Sequence, residues 1–236
     1  MFVNYAHRGA SEYYAENTFS SFYAGLDMGA NGIETDVQRT RDGKLVLYHD
    51  DTLMRCTGAA GKVADYTYEE LRQLEVTNAK TGRCDKIVLF EDFLHHFGWR
   101  DLTFAIELKV RGVAADAIAM MDRYGVRDKV IITSFSYDEL VDAHALRSGY
   151  RLGYLYRVNK GDIDEKLRAI EAYQACPKEA DTSAEEVARL RAAGYECRAW
   201  GIVDSDAMIR AVEKGFDGGM TVNFPDKLTA YLNNRK

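Results

Sequence analysis

The sequence predicts an α/β fold, a (β/α)8 TIM barrel with a small insertion and a β-hairpin after the second strand. Three observations carry this. Strand-like and helix-like patterns alternate along nearly the whole chain, as a parallel sheet covered by helices requires. With one hairpin return set aside, the strands of parallel type number eight, the count at which such a sheet closes on itself. No G-x-G-x-x-G run follows the first strand, which weighs against a doubly wound open sheet. At 236 residues the chain fits one domain over 1–236, since α/β barrels run to about 200–250 residues as a unit.

The elements follow in order. Residues 2–6 are a short apolar run ending at His7-Arg8-Gly9, a strand and then a loop. Glu16-Asn17-Thr18 opens a helical pattern that stops at Gly29, with Asn17 or Thr18 as N-cap. The second strand, 32–36, is Gly32-Ile33-Glu34-Thr35-Asp36. Asp42-Gly43 is a strong hairpin signal. With those two residues as the turn, Arg41 pairs with Lys44, and Asp36 stands opposite His49 on one face. The span from about 37 to 89 reads as an insertion shaping a pocket mouth, with a short helical piece at 68–74. A helix is expected over 90–97. Strands then fall at 103–109, 130–134, 151–156, 174–176, 196–203 and 218–222, and helices at 113–124, 137–147, 163–173, 184–193 and 206–214.

Composition narrows the class. A net charge of −6 argues against broad nucleic-acid binding, which needs basic surface, but admits a small anion held by local cations. No stretch approaches the roughly 18 apolar residues of a membrane span, and the N-terminus lacks a signal-peptide pattern. Cys56, Cys84, Cys176 and Cys197 are scattered without a CxxC pair, which suits reduced thiols in a cytoplasmic protein. Oligomeric state stays open.

The chemistry gathers at strand ends, where barrels place their sites. His7 and Arg8 end the first strand, Glu34 and Asp36 the second, Glu107 and Lys109 the third. Side chains alternate along a strand, so Glu34 and Asp36 share a face. Three converging carboxylates without a cysteine suit a hard divalent cation, Mg²⁺ or Ca²⁺. Arg8 and Lys109 make a cradle for phosphate, and His7 and His49 can divide proton transfers. Together these point to metal-assisted cleavage of a phosphodiester. Taken singly, each has a plainer reading: a surface ion pair for Glu34-x-Asp36 or Glu107-x-Lys109, a loop hydrogen bond for His7. Asn17 either caps its helix or touches phosphate, Asn223 is a candidate pocket lining, and His95, His96 and His144 read as surface residues.

The ordered set His7-Arg8-Gly9, Glu16-Asn17-Thr18, Glu34-x-Asp36, Asp42-Gly43, His49-Asp50, Glu107-x-Lys109 and Ser134-Phe135 resembles the glycerophosphodiester phosphodiesterase family, from Ala6 to about Asp226. That resemblance implies a TIM barrel that hydrolyses a small glycerophosphodiester to glycerol 3-phosphate and an alcohol with a divalent cation. By position it implies Glu34, Asp36 and Glu107 as metal ligands, His7 and His49 as the acid–base pair, and Arg8 and Lys109 on phosphate. It also suggests initial attack by the substrate's own 2-hydroxyl, giving a cyclic phosphate. Phe135 and Trp200 look like the apolar wall of the glycerol pocket, although core packing would explain them as well. Related readings are a barrel phosphodiesterase acting on lysophospholipid or phosphoinositol, and a non-catalytic phosphate- or polyol-binding barrel. The chain departs from the family pattern at Ala15, at Gly201–Val203 and at Asn223, where an acid becomes neutral.

Overall fold

The computed structural model describes residues 2–158 and 161–235. β1 (Asn4–His7) leads into α1 (Phe19–Asp27) and β2 (Gly32–Arg39), and β3 (Leu45–Leu47) returns antiparallel along β2. Next come α2 (Met54–Thr57), α3 (Tyr68–Leu71), the small pair β4 (Val76–Thr77) and β5 (Cys84–Asp85), and α4 (Phe90–Phe97). Regular alternation begins at β6 (Thr103–Leu108), followed by α5 (Ala114–Arg123), β7 (Val130–Ser134), α6 (Tyr137–Ala145) and β8 (Arg151–Tyr156). It continues through α7 (Ile163–Ala169), β9 (Gln174–Pro177), α8 (Ala184–Ala192), β10 (Glu196–Cys197) and β11 (Ala199–Ile202). The chain ends with α9 (Ser205–Glu213), β12 (Met220–Val222) and α10 (Pro225–Asn233), the last of which the sequence reading did not anticipate.

The main sheet runs β10-β9-β8-β7-β6-β2-β1-β12-β11, with every neighbour along that path parallel. The strand expected over 196–203 is split at Arg198. Its first part pairs with β9 and its second with β12, so this one stretch joins both edges of the sheet. A further bridge between Lys178 and Trp200 tightens the seam. The result is a nearly closed α/β barrel.

Outward strand residues such as Ile33, Phe104, Ile106 and Ile132 are fully buried against the helices and form the main apolar core. The region between β2 and α4 closes over a smaller cluster containing Val46, Tyr48, Leu53, Cys56, Leu71 and Ile87. All four cysteines are free thiols.

The hairpin differs from the expected register by one residue. Val37 pairs with Leu47, Gln38 with Val46, and Arg39 with Leu45. The loop is therefore three residues, 41–43, closed by Gly43 at φ +80°, a left-handed conformation that glycine adopts without steric cost. Thr40 Oγ1 donates to Asp42 Oδ1 (2.6 Å) and accepts from Lys44 N–H (2.8 Å), bonds that favour the longer loop. Asp36 consequently faces Tyr48, whose N–H donates to its carbonyl at 3.0 Å. His49 lies beyond the ladder, and it reaches the rim through the departing chain instead of through direct opposition.

Candidate active site

The first strand turns sharply where it delivers its functional residues. Arg8 has φ +56° and Gly9 φ +83°, and a Cβ on Gly9 would collide with Ser21. Arg8 N–H donates to Glu34 O (2.9 Å), and Ser21 Oγ–H donates to Arg8 O (2.9 Å), fixing the turn against β2 and α1. Thr18 caps α1, accepting from Ser21 N–H. Asn17 leaves the cap to Thr18. At φ +56° it turns inward, donates from Nδ2 to Asp36 Oδ2 (2.9 Å) and accepts from Thr35 Oγ1–H (2.7 Å).

Glu34, Asp36 and Glu107 are buried and each offer a carboxylate oxygen within 4.8 Å of the others. β2 and β6 pair in parallel with Asp36 beside Glu107, which brings the third acid to the first two. Burial, then the carboxylates of Asp36 and Glu107, raises the Glu34 carboxyl well above its usual value. Burial, then Asp36, raises Glu107 too. Asp36 shows the reverse. Burial works to raise it, yet Arg8, His49 and Lys109 hold it down to about 2. Asp36 Oδ1 is buried with no hydrogen-bond donor among the described residues. Three crowded oxygen ligands, one of them unsatisfied, fit a hard divalent cation.

The cations stand around this cluster. Arg8 Nε lies 3.3 Å from Asp36 Oδ2, and its Nη1 donates to Glu16 Oε1 at 2.9 Å. Lys109 Nζ donates to Glu107 Oε1 (2.8 Å) and lies 3.8 Å from Asp36 Oδ1. His7 Nδ1–H donates to Asn223 Oδ1 (2.6 Å), leaving Nε2 to accept from Arg8 Nη2–H (3.1 Å). Burial, then the Arg8 guanidinium, pulls His7 down to about 3, so the ring is neutral. His49 Nδ1–H donates to Asp50 Oδ1 at 2.7 Å, which orients Nε2 as the free nitrogen.

One cavity of about 560 Å³ is lined by His7, Arg8, Glu34, His49, Glu107, Lys109, Phe135 and Trp200, with Asp36 bonded just behind. The residues expected to act as acid–base pair, phosphate cations, carboxylate cluster and apolar wall thus gather at one place, whereas Asn223, expected to line the pocket, is bonded to His7 and is not among its lining residues. Phe135 and Trp200 form an edge-to-face pair with centroids 4.8 Å apart. Trp200 Nε1–H donates to the carbonyls of Tyr156 and Cys176, both at 3.1 Å, so the ring is a fixed wall.

The sequence reading missed Arg198. It is 1% exposed, donates from Nε to Gln174 Oε1 (2.9 Å), and lies over the Tyr5 ring at 5.3 Å. It lines the cavity, and although the Glu34 carboxylate acts on it electrostatically, no carboxylate of the described residues forms an ion pair with it. An arginine at the break between two short strands carries no local signal of facing a barrel interior. Glu16 and Asp50 stood in the motifs of the sequence without a role, and Arg55 was passed over; together they hold Arg8 and His49.

Comparison with known proteins shows the family and the fold. The model of the glycerophosphoryl diester phosphodiesterase family matches residues 7–227. An uncharacterized protein of Bacillus subtilis, YqiK, is 32% identical over 98% of both chains. A glycerophosphodiester phosphodiesterase of Caldanaerobacter subterraneus is 31% identical over 92% of each. Among solved structures, a Thermotoga maritima glycerophosphodiester phosphodiesterase superposes with TM-score 0.80 at 26% identity, covering 98% of this chain and 99% of that one. An Oleispira antarctica phosphodiesterase, solved with its product sn-glycerol-3-phosphate, shares the fold at TM-score 0.83 and 24% identity, covering 97% and 96%. The barrel, its carboxylate cluster and these matches make the chain an enzyme belonging to the glycerophosphoryl diester phosphodiesterase family.

Proposed function

We propose that the protein hydrolyses glycerophosphodiesters to sn-glycerol 3-phosphate and an alcohol, with a divalent cation held by Glu34, Asp36 and Glu107. The observation that carries this reading is the buried three-carboxylate cluster with two cations and two oriented histidines on one cavity wall. A cation bound there supplies Lewis-acid polarisation of a phosphoryl oxygen. Lys109 and Arg8, fixed by their carboxylate partners, orient the phosphate and offset charge that builds on its oxygens. His7, neutral at Nε2, takes the proton of the attacking oxygen, and His49 delivers one from Nε2 to the departing alcohol. With the substrate's 2-hydroxyl as nucleophile, a P–O bond forms to that oxygen as the P–O bond to the alcohol breaks. Water then opens the cyclic phosphate by the reverse proton transfers. Phe135 and Trp200 wall the glycerol moiety from solvent.

The test is a panel of soluble glycerophosphodiesters assayed with Mg²⁺, Ca²⁺ or Mn²⁺, reading released sn-glycerol 3-phosphate. We expect turnover that chelation abolishes and that His7→Ala or His49→Ala lowers by about 100-fold or more. Undiminished turnover after chelation, or in His7→Ala, would overturn the assignment.

A further inference from the structure

A second group of ligand-type side chains sits at the rim, beside the site already described. Glu16, His49 and Asp50 each present a donor atom within 4.8 Å of the others. Arg55, on α2, stands between the two carboxylates. Its Nε donates to Asp50 Oδ2 (2.5 Å) and its Nη1 to Glu16 Oε2 (2.8 Å). Its Nη2 donates to both Asp50 Oδ1 (2.9 Å) and Glu16 Oε1 (2.8 Å). Each carboxylate is therefore gripped twice by one planar fork, the geometry in which a guanidinium pairs most strongly.

The same carboxylates hold the working residues from behind. Glu16 Oε1 accepts from Arg8 Nη1–H, and Asp50 Oδ1 accepts from His49 Nδ1–H. A single side chain thus ties together the turn after β1, which carries Arg8, and the segment after β3, which carries His49. Although burial works to raise both acids, Arg55 with its neighbours holds Glu16 below its usual value and Asp50 at about 2. Two ionised carboxylates this close repel unless a cation separates them. Without Arg55 the remaining set, two carboxylates and an imidazole, is one that Zn²⁺ binds. His49 would then be a ligand and lost to proton transfer.

We propose that Arg55 is a positioning residue that serves as a fixed internal cation, holding Arg8 and His49 in working geometry and keeping divalent metal off Glu16, His49 and Asp50. The kinetic part of this inference rests on the hydrolase reading, and the metal-binding part does not.

The experiment compares the full-length wild type with Arg55→Gln and Arg55→Lys, counting bound Zn²⁺ by equilibrium dialysis and measuring kcat and KM separately. Arg55→Gln is expected to bind one more Zn²⁺ per chain than the wild type. Its kcat should fall about 10-fold or more with KM within about threefold, the scale of losing a residue that orients a ligand or base. Added Zn²⁺ should inhibit it at concentrations the wild type tolerates. Arg55→Lys should keep the wild-type zinc count yet recover kcat only in part, because an ammonium cannot grip both carboxylates. An unchanged zinc count in Arg55→Gln, or a kcat within twofold of the wild type, overturns the proposal. If Arg55→Gln does not fold, wild-type kcat in Arg55→Lys overturns it instead. Should the wild type turn over no glycerophosphodiester, the hydrolase reading fails while the zinc count still decides the role of Arg55 as excluding cation.

Discussion

Replacing Asn17 tests whether a side chain of the helix-entry loop braces Asp36, the proposed metal ligand. Asn17 is 2% exposed, and both of its bonds are buried. Asn17→Ala removes the bond to the Asp36 carboxylate, worth about 1.5–3 kcal/mol, and the one from Thr35, worth about 0.5–1.5 kcal/mol. It also forces an alanine to φ +56°, where a Cβ costs about 1–2 kcal/mol and asparagine is better tolerated. These effects overlap, so we expect a loss of about 3–4 kcal/mol. At this chain length that is a fall in Tm of about 6–16 °C. Asn17→Gly loses the same bonds without the backbone strain and should be about 1 kcal/mol more stable than Asn17→Ala. Urea titration of the three proteins gives the differences directly. A loss below about 1 kcal/mol in Asn17→Ala, or a glycine variant no more stable than the alanine variant, would refute the bracing argument.

Three further outcomes follow from the same structure. The Glu34 carboxyl is raised in the folded protein, so the metal-free native state binds more protons than the unfolded chain above the ordinary carboxyl pKa. The Glu34 contribution should therefore fall away as pH rises from about 4.5 toward neutrality, so metal-free Glu34→Gln should gain stability relative to metal-free wild type over that window, as paired denaturation would show. Arg198 is buried and no carboxylate of the described residues forms an ion pair with it, so Arg198→Met should keep or raise the melting temperature while kcat/KM on glycerophosphodiesters falls, as paired calorimetry and kinetics would show. Glu139 on α6 accepts from the N–H groups of Gly112, Val113 and Ala114 at 2.8, 3.0 and 2.8 Å. Glu139→Ala strands three donors at the start of α5 and should cost about 3–5 kcal/mol by chemical denaturation.

The sequence by itself determined the alternation of strands and helices, and with it the barrel. It also determined which residues could share a face. Period-two geometry puts Glu34 beside Asp36 and Glu107 near Lys109 whatever the rest of the chain does, and a strand end places His7 and Arg8 at the rim. The tertiary structure decided the rest, because those choices turn on contacts between distant segments. The hairpin register is the local exception: bonds inside its own loop, between Thr40, Asp42 and Lys44, accompany three loop residues instead of two. The break at Arg198 arose where one stretch had to pair with both β9 and β12 to close the sheet. The partners that orient the chemistry, Asn223 for His7, Asn17 for Asp36 and Arg55 for Glu16 and Asp50, are joined across 216, 19, 39 and 5 residues respectively. Apart from Asp50 with Arg55, no short pattern encodes such pairs. They form only once the barrel has closed and brought its strand ends to a common rim, where crowded carboxylates must each find a cation or a donor.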